Sequence, residues 1–389
     1  MPILLTSTFL FIAAILVIYW LHNQAWLQIG TPPAVPPADG PLISVIVPAR
    51  NEARNIGRCV TALLAQDYPH FEVLVLDDRS SDETPHILAQ FAGDTRLRVL
   101  QGSELPEGWA GKPHALHQAS LLARGDWLLF IDADTFLSPN AVTAALHSAS
   151  HHAADLYTVM TGQILGSFWE KTVMPLVMTA LSVGFSPARV NDPKTRDAIA
   201  NGQFILIKRN VYDAIGGHAR LRNLIVEDKA ISEQVKWNGF RLIVADGREV
   251  ASTRMYTNLP EMWEGWTKNI YLGLSDQRGL LLLGVFGAFL ALMAALFLPA
   301  WPLLGLIWLS QGAGWMAWAV IGEALLVWGY ILGQRWRVNR LMGIPGWYAL
   351  TTPLGAGVFA AMMISSAWKV LSGQGVTWKG RRYDPKVIR

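Results

Sequence analysis

The sequence predicts an α/β domain on a mostly parallel sheet, with an N-terminal transmembrane helix before it and C-terminal transmembrane or membrane-associated helices after it. Three observations carry that expectation. Between residues 42 and 131, short unbroken apolar runs alternate with segments of helical spacing. Strands covered on both faces read as continuous apolar runs, which is what a parallel sheet between helices requires. Uncharged stretches of membrane length flank this region. Finally, the apolar runs end in polar clusters: Pro48-Ala49-Arg50-Asn51-Glu52, Asp77-Asp78 and Asp132-Ala133-Asp134. In open α/β sheets, ligands bind beyond the carboxyl ends of the strands.

Residues 2–21 carry no charge, and twenty helical residues cover about 30 Å, the thickness of a bilayer core. A cleaved signal peptide remains the alternative. The missing basic start, and the lack of a small-residue cleavage site before Leu21-His22-Asn23, favour a retained anchor over residues 1–22. Residues 23–40 include the proline-rich run from Thr31 to Gly40 and read as a stiff, extended spacer.

Strands are expected at 42–47, 71–76, 97–100 and 127–131, and helices at 55–65 and 113–123. A further helix starts near Asp82, its expected cap, with Pro85 in the first turn. Beyond residue 153 the composition shifts. Residues 168–185 are apolar and methionine-rich but short for a span, and suit an interfacial helix or the wall of an acceptor groove. Strands at 201–207 and 240–244 flank a helix over 227–237. The expected division is a domain over 41–278, a membrane region of two to three hydrophobic helices over 279–372, and a basic tail over 373–389.

Composition narrows the chemistry. Hydrophobic residues make up 52% of the 389, against 16% charged, with 17 Trp, and the excess sits in the flanking segments. A net charge of +3 is too small for a nucleic-acid partner. Cys59 is the only cysteine, which excludes a disulfide framework and a Cys-based zinc site and fits a reducing cytosol.

Asp132 and Asp134, two residues apart at a strand end, suit a shared divalent cation such as Mg²⁺ or Mn²⁺, which in turn binds a diphosphate. Aspartates are also common in turns and helix caps, so the spacing alone is weak. Adjacent Asp77 and Asp78 oppose joint ionisation unless donors or a ligand surround them; base and ribose recognition is one reading, a plain turn the other. Glu227-Asp228 opens a helix, either as a dipole-complementing pair or as a general base for an acceptor hydroxyl. Gly111-Lys112 at a helix start suits an anionic phosphate, although no full Walker pattern surrounds it.

These motifs, in this order from Ile46 to Asp228, resemble those of family 2 glycosyltransferases with the Rossmann-like GT-A fold, over residues 42–275. The resemblance implies a nucleotide-sugar donor, UDP- or GDP-linked, and an inverting single displacement. By position, Pro48, Glu52, Asp77, Asp78, Lys112 and Asp132 would bind the nucleotide sugar. Asp134, with Asp132, would hold the metal, and Asp228 would be the base.

Gly108-Trp109-Ala110-Gly111-Lys112, Val190-Asn191-Asp192-Pro193, Ala200-Asn201-Gly202-Gln203-Phe204 and Trp378-Lys379-Gly380-Arg381-Arg382-Tyr383 look like the membrane enzymes of hopanoid and carotenoid pathways. Those members transfer one sugar to a lipid acceptor in the bilayer. Polyprenyl-phosphate, sphingolipid or glycerolipid transferases and processive polysaccharide synthases are the alternatives. Processive members carry a Q/R-x-x-R-W motif, and at Met262-Trp263-Glu264-Gly265-Trp266 only the final Trp survives. Trp263 and Trp266 are then candidate acceptor contacts or interfacial aromatics.

A multi-pass protein of the cell membrane with a cytosolic catalytic domain follows from a cytosolic donor, and it places Arg335, Arg337 and Arg340 inside, as positive-inside asymmetry asks. Pro353, Gly355 and Gly357 interrupt the last segment, favouring a re-entrant or surface element over a simple span. The tail would then stay cytosolic, where its basic residues meet lipid head groups or donor phosphates.

Overall fold

The computed structural model describes residues 27–30, 33, 36, 39–275 and 278–383. The anchor expected at 1–22, most of the spacer, and Lys386 and Arg389 of the tail lie outside the described residues.

Twelve strands are formed among the described residues: β1 (Ile43–Ala49), β2 (Phe71–Asp77), β3 (Leu97–Gln101), β4 (Trp127–Phe130), β5 (Thr135–Leu137), β6 (Leu156–Met160), β7 (Gly162–Gln163), β8 (Ile205–Lys208), β9 (Leu242–Asp246), β10 (Ala251–Thr253), β11 (Val376–Trp378) and β12 (Arg381–Tyr383). The main sheet has the order β3-β2-β1-β4-β8-β6-β9. Its first four strands are mutually parallel. β8 runs antiparallel between β4 and β6, and β9 is parallel to β6.

Alternate side chains of β1 feed two separate cores. Ile43, Val45 and Val47 join the cluster on one face, and Ile46 joins the cluster on the other. All four are fully buried, each contributing about 2 kcal/mol of apolar burial as an upper estimate. This two-faced burial is why the sequence shows a continuous run instead of an alternation.

The chain divides into two compact units. Among the described residues, one comprises those of 27–164, 185–255 and 369–383, and holds the sheets; the other comprises those of 165–184 and 256–368. The division is therefore not the contiguous 41–278 domain expected. Residues 165–184 and 256–278 go with the apolar helices, and the tail goes with the sheet.

Residues 27–29, expected in a free-standing spacer, instead lie along the β9 edge. Asp246 N donates to Leu27 O at 2.8 Å and Ile29 N to Asp246 O at 3.3 Å, while Leu27 and Ile29 pack on the core. Further along that edge, Asn191 stands in for a strand: its Nδ2 donates to Val244 O (2.9 Å) and its Oδ1 accepts from Val244 N (2.7 Å). Asp82 lies one residue before the helix cap Glu83. Its carboxylate still accepts from Thr84 N (3.0 Å), and also from Ala53 N (3.1 Å), joining two loops of the rim.

The helical unit contains Phe168–Gly184, Leu259–Ser275, Arg278–Ser310, Trp315–Leu341 and most of Thr352–Leu371. Among the described residues, Trp315–Leu341 and Gly346–Leu371 are long and apolar enough to cross a membrane. The last segment changes beside Pro353, where a 3-10 helix over Gly346–Thr351 gives way to the α-helix Thr352–Leu371. Pro353 occupies the first turn of that α-helix, where a missing N–H costs no helical bond. Gly355 permits a close backbone approach, since a Cβ there would stand 2.5 Å from Thr172 O.

Candidate active site

The carboxyl ends of β1, β2 and β4 and the start of the helix Glu227–Trp237 bring the polar clusters of the sheet unit together. Lys112, in the first turn of the helix Gly111–Leu122, is the hub. Its Nζ lies 2.7 Å from Asp132 Oδ1 and 2.8 Å from Glu227 Oε1. Burial alone would depress this ammonium, but Asp132, Glu227 and Asp228 around it hold it well above the usual lysine range.

Asp228 is fixed by two backbone donors: Gly202 N to Oδ2 at 3.1 Å and Lys229 N to Oδ1 at 2.8 Å. A Cβ at Gly202 would approach both Asp228 Oδ2 and Lys112 Nζ to 3.1 Å, close enough that one of them would have to give way. Burial, then the neighbouring Glu227, push the Asp228 carboxyl up to about 6, with Lys112 and the two backbone donors opposing. An acid tuned to that value is ionised at neutral pH yet basic enough to accept a proton.

Asp134 follows the end of β4. Its Oδ1 accepts from Thr253 Oγ1 (3.2 Å), which comes from β10. Burial, with Asp132 and Glu52 nearby, pushes it up to about 7 against the pull of Lys379 and Lys112. Cys59 packs below, its Sγ 3.9 Å from Asp132 O. Its thiol is pushed up by burial first and by Asp134 next, which leaves it inert. Among the described residues no cluster of three His, Cys, Asp or Glu surrounds one metal position. Two carboxylates supplemented by substrate phosphates are a usual way to hold Mg²⁺, so Asp132 and Asp134 fit a cation completed by the donor.

Asp77 and Asp78 are both buried. Asp77 Oδ1 accepts from Ser80 N at 3.1 Å. Asp78 is gripped by both terminal nitrogens of Arg381, at 2.5 and 3.1 Å. Glu52 accepts from Asn55 Nδ2 (3.1 Å) and pairs with Lys379. Pro48 lies near the end of β1, in register with Leu76 of β2. Asn51 and Arg79 hold φ values of 52° and 56°, a left-handed conformation that costs non-glycine residues energy and concentrates at functional sites.

Every nucleotide, metal and base residue expected from the sequence thus belongs to the sheet unit. Trp263 and Trp266 belong to the helical unit. Trp266 is a core residue there, 7% exposed, with Nε1 donating to Met174 Sδ at 3.4 Å; burial removes it as an exposed acceptor wall. Three residues take pairings that the sequence did not assign. Glu227 is more than a helix-starting neighbour, being a partner of Lys112, and Lys379 and Arg381 hold carboxylates of the rim.

A parallel half-sheet carrying carboxylates at its switch point, with an antiparallel strand beyond β4, is the GT-A fold. A mannosyltransferase from Pyrobaculum calidifontis, solved in complex with GDP-Man and Mn2+, shares the fold at TM-score 0.54 and 18% identity, over 95% of this chain and 98% of that one. The chain matches the sequence model of glycosyl transferase family 2 over residues 44–216. It is 28% identical over 348 residues to 4,4'-diaponeurosporenoate glycosyltransferase of Staphylococcus aureus strain MRSA252, covering 88% of each chain. The same enzyme of the bovine strain RF122 / ET3-1 matches with the same identity and coverage.

Proposed function

We propose that the protein transfers one sugar, with inversion, from a nucleotide-sugar donor to an isoprenoid lipid acceptor in the membrane, such as a carotenoid or hopanoid. The observation that carries this reading is the half-buried Asp228, tuned to about 6 and tied through Lys112 to Asp132. Asp228 takes the proton of the acceptor hydroxyl as its oxygen bonds to the anomeric carbon and the bond to the diphosphate breaks. Glu52, Asp77, Asp78 and Pro48 hold the nucleotide, UDP or GDP. Asp132 and Asp134 hold a divalent cation, which when bound neutralises charge on the departing nucleoside diphosphate. Lys112 keeps Asp132 and Glu227 in place and adds positive charge beside the base.

The lipid acceptor is supported by the carotenoid enzymes to which the chain is similar and by the two helices of membrane length. The sheet unit then faces the cytosol, where nucleotide sugars are made. Mass analysis of lipids from cells with and without the gene tests the reading. A hexose-sized mass shift on an isoprenoid is expected; a ladder of polymer, or sugar on a soluble acceptor, would sink it.

A further inference from the structure

We propose that the C-terminal hairpin is part of the donor site: Lys379 and Arg381, with Arg50 and Arg79, form a cationic cradle for the nucleoside diphosphate half of the donor. The inference rests on the glycosyltransferase reading above. β11 and β12 pair antiparallel around Lys379 and Gly380, whose φ values of 46° and 77° are both left-handed. A two-residue turn of this kind suits Asn or Gly at its first position. Lysine there is held in a costly conformation, a mark of a functional position. Its ammonium pairs with Glu52 and donates to Arg50 O at 3.0 Å.

Two residues further, Arg381 forks onto Asp78, the geometry in which guanidinium best binds an oxyanion. Arg381 also lines a cavity of about 430 Å³ with Arg50, Arg79, Glu104 and Leu105, a size that suits a small molecule. Its three guanidinium groups outnumber the carboxylates they face, Glu104 and the Asp78 gripped by Arg381, which favours an anion. Arg50 keeps a spare donor, because its Nε is buried with no hydrogen-bond partner. Without the hairpin, Glu52 and Asp78 would present bare carboxylates to an incoming anion. With it, both charges are met and the balance turns positive.

The test is calorimetric titration of the full-length protein in lipid nanodiscs with UDP, GDP, uridine and guanosine. Arg381→Gln is expected to weaken the preferred diphosphate about tenfold or more and Lys379→Met about threefold or more, the loss of a charge-assisted contact. The bare nucleoside and the melting temperature should hardly change. Equal or tighter diphosphate binding by both variants overturns the inference. So does full restoration of affinity in Asp78→Asn/Arg381→Gln, which reduces Arg381 to a neutraliser of Asp78. Should Arg381→Gln fail to fold, Lys379→Met decides alone. If the unaltered protein binds neither diphosphate and transfers no sugar, the glycosyltransferase reading fails instead.

Discussion

The two units solve opposite problems. The sheet unit buries both apolar strands and charge: Asp77, Asp78 and Glu227 are each 5% exposed or less, and each has a donor or cation in place. The helical unit does the reverse, leaving Trp315 at 75%, Trp318 at 62%, Leu326 at 66% and Trp368 at 65% exposure. In water such apolar area is costly; against hydrocarbon it is not. One unit is organised by electrostatic pairing around a reaction, the other by what solvent it meets. Substitutions in the first should change chemistry and leave the fold, and substitutions in the second should do the opposite.

The sharpest break of that contrast is Asp228→Asn. Transfer should fall about 10³-fold or more, within the range for loss of a general base. Folding should not suffer, since an acid whose pKa is raised gives up an unfavourable ionisation. Single-turnover assays beside thermal melts check both halves, and near-normal turnover would remove the base assignment.

Chelation followed by dialysis should lower activity about 10²-fold, with Mn²⁺ or Mg²⁺ restoring it; unchanged turnover removes the cation from the reaction. Lys112→Met is the mixed case, because it strands Asp132 and Glu227. About 3 kcal/mol of stability should go, together with most activity, measured by denaturant unfolding of the solubilised protein. If stability holds while activity falls, Lys112 acts on the ligand more than on its carboxylates.

Acid should act through Asp228. Below about pH 6 the carboxyl is protonated and kcat/KM should fall about tenfold per pH unit, with a flat region above. The stability contribution has the opposite sign. A folded pKa raised above 3.8 stabilises fully below that value and is lost as pH rises through about 6. The smallest catalytic effect belongs to Trp266→Ala. It should cost the helical unit about 3 kcal/mol through the cavity it leaves, while nucleotide binding stays within about twofold.

β1, β2 and β4 were legible because each is an apolar run closed by a polar cluster, and the helix Glu227–Trp237 fell where its charges implied. β6 was not anticipated. Leu156–Met160 is buried but mixes Tyr and Thr with its aliphatics, and its identity comes from pairing with β8 and β9, far along the chain. The same distance explains the site. Strand-end acids declare themselves locally, whereas Arg381 meets Asp78 across 303 residues and Lys379 meets Glu52 across 327. A basic tail is visible in sequence; which acids it answers is not.

The closed edge of the main sheet has a consequence for association. At β9, residues 27–29 and Asn191 already occupy the outward backbone groups, so a foreign strand finds nothing to zip onto. The opposite end, β3, presents Val99 at 46% exposure. Growth of this sheet by a second molecule is therefore guarded against at β9, whereas among the described residues no strand lies beyond β3.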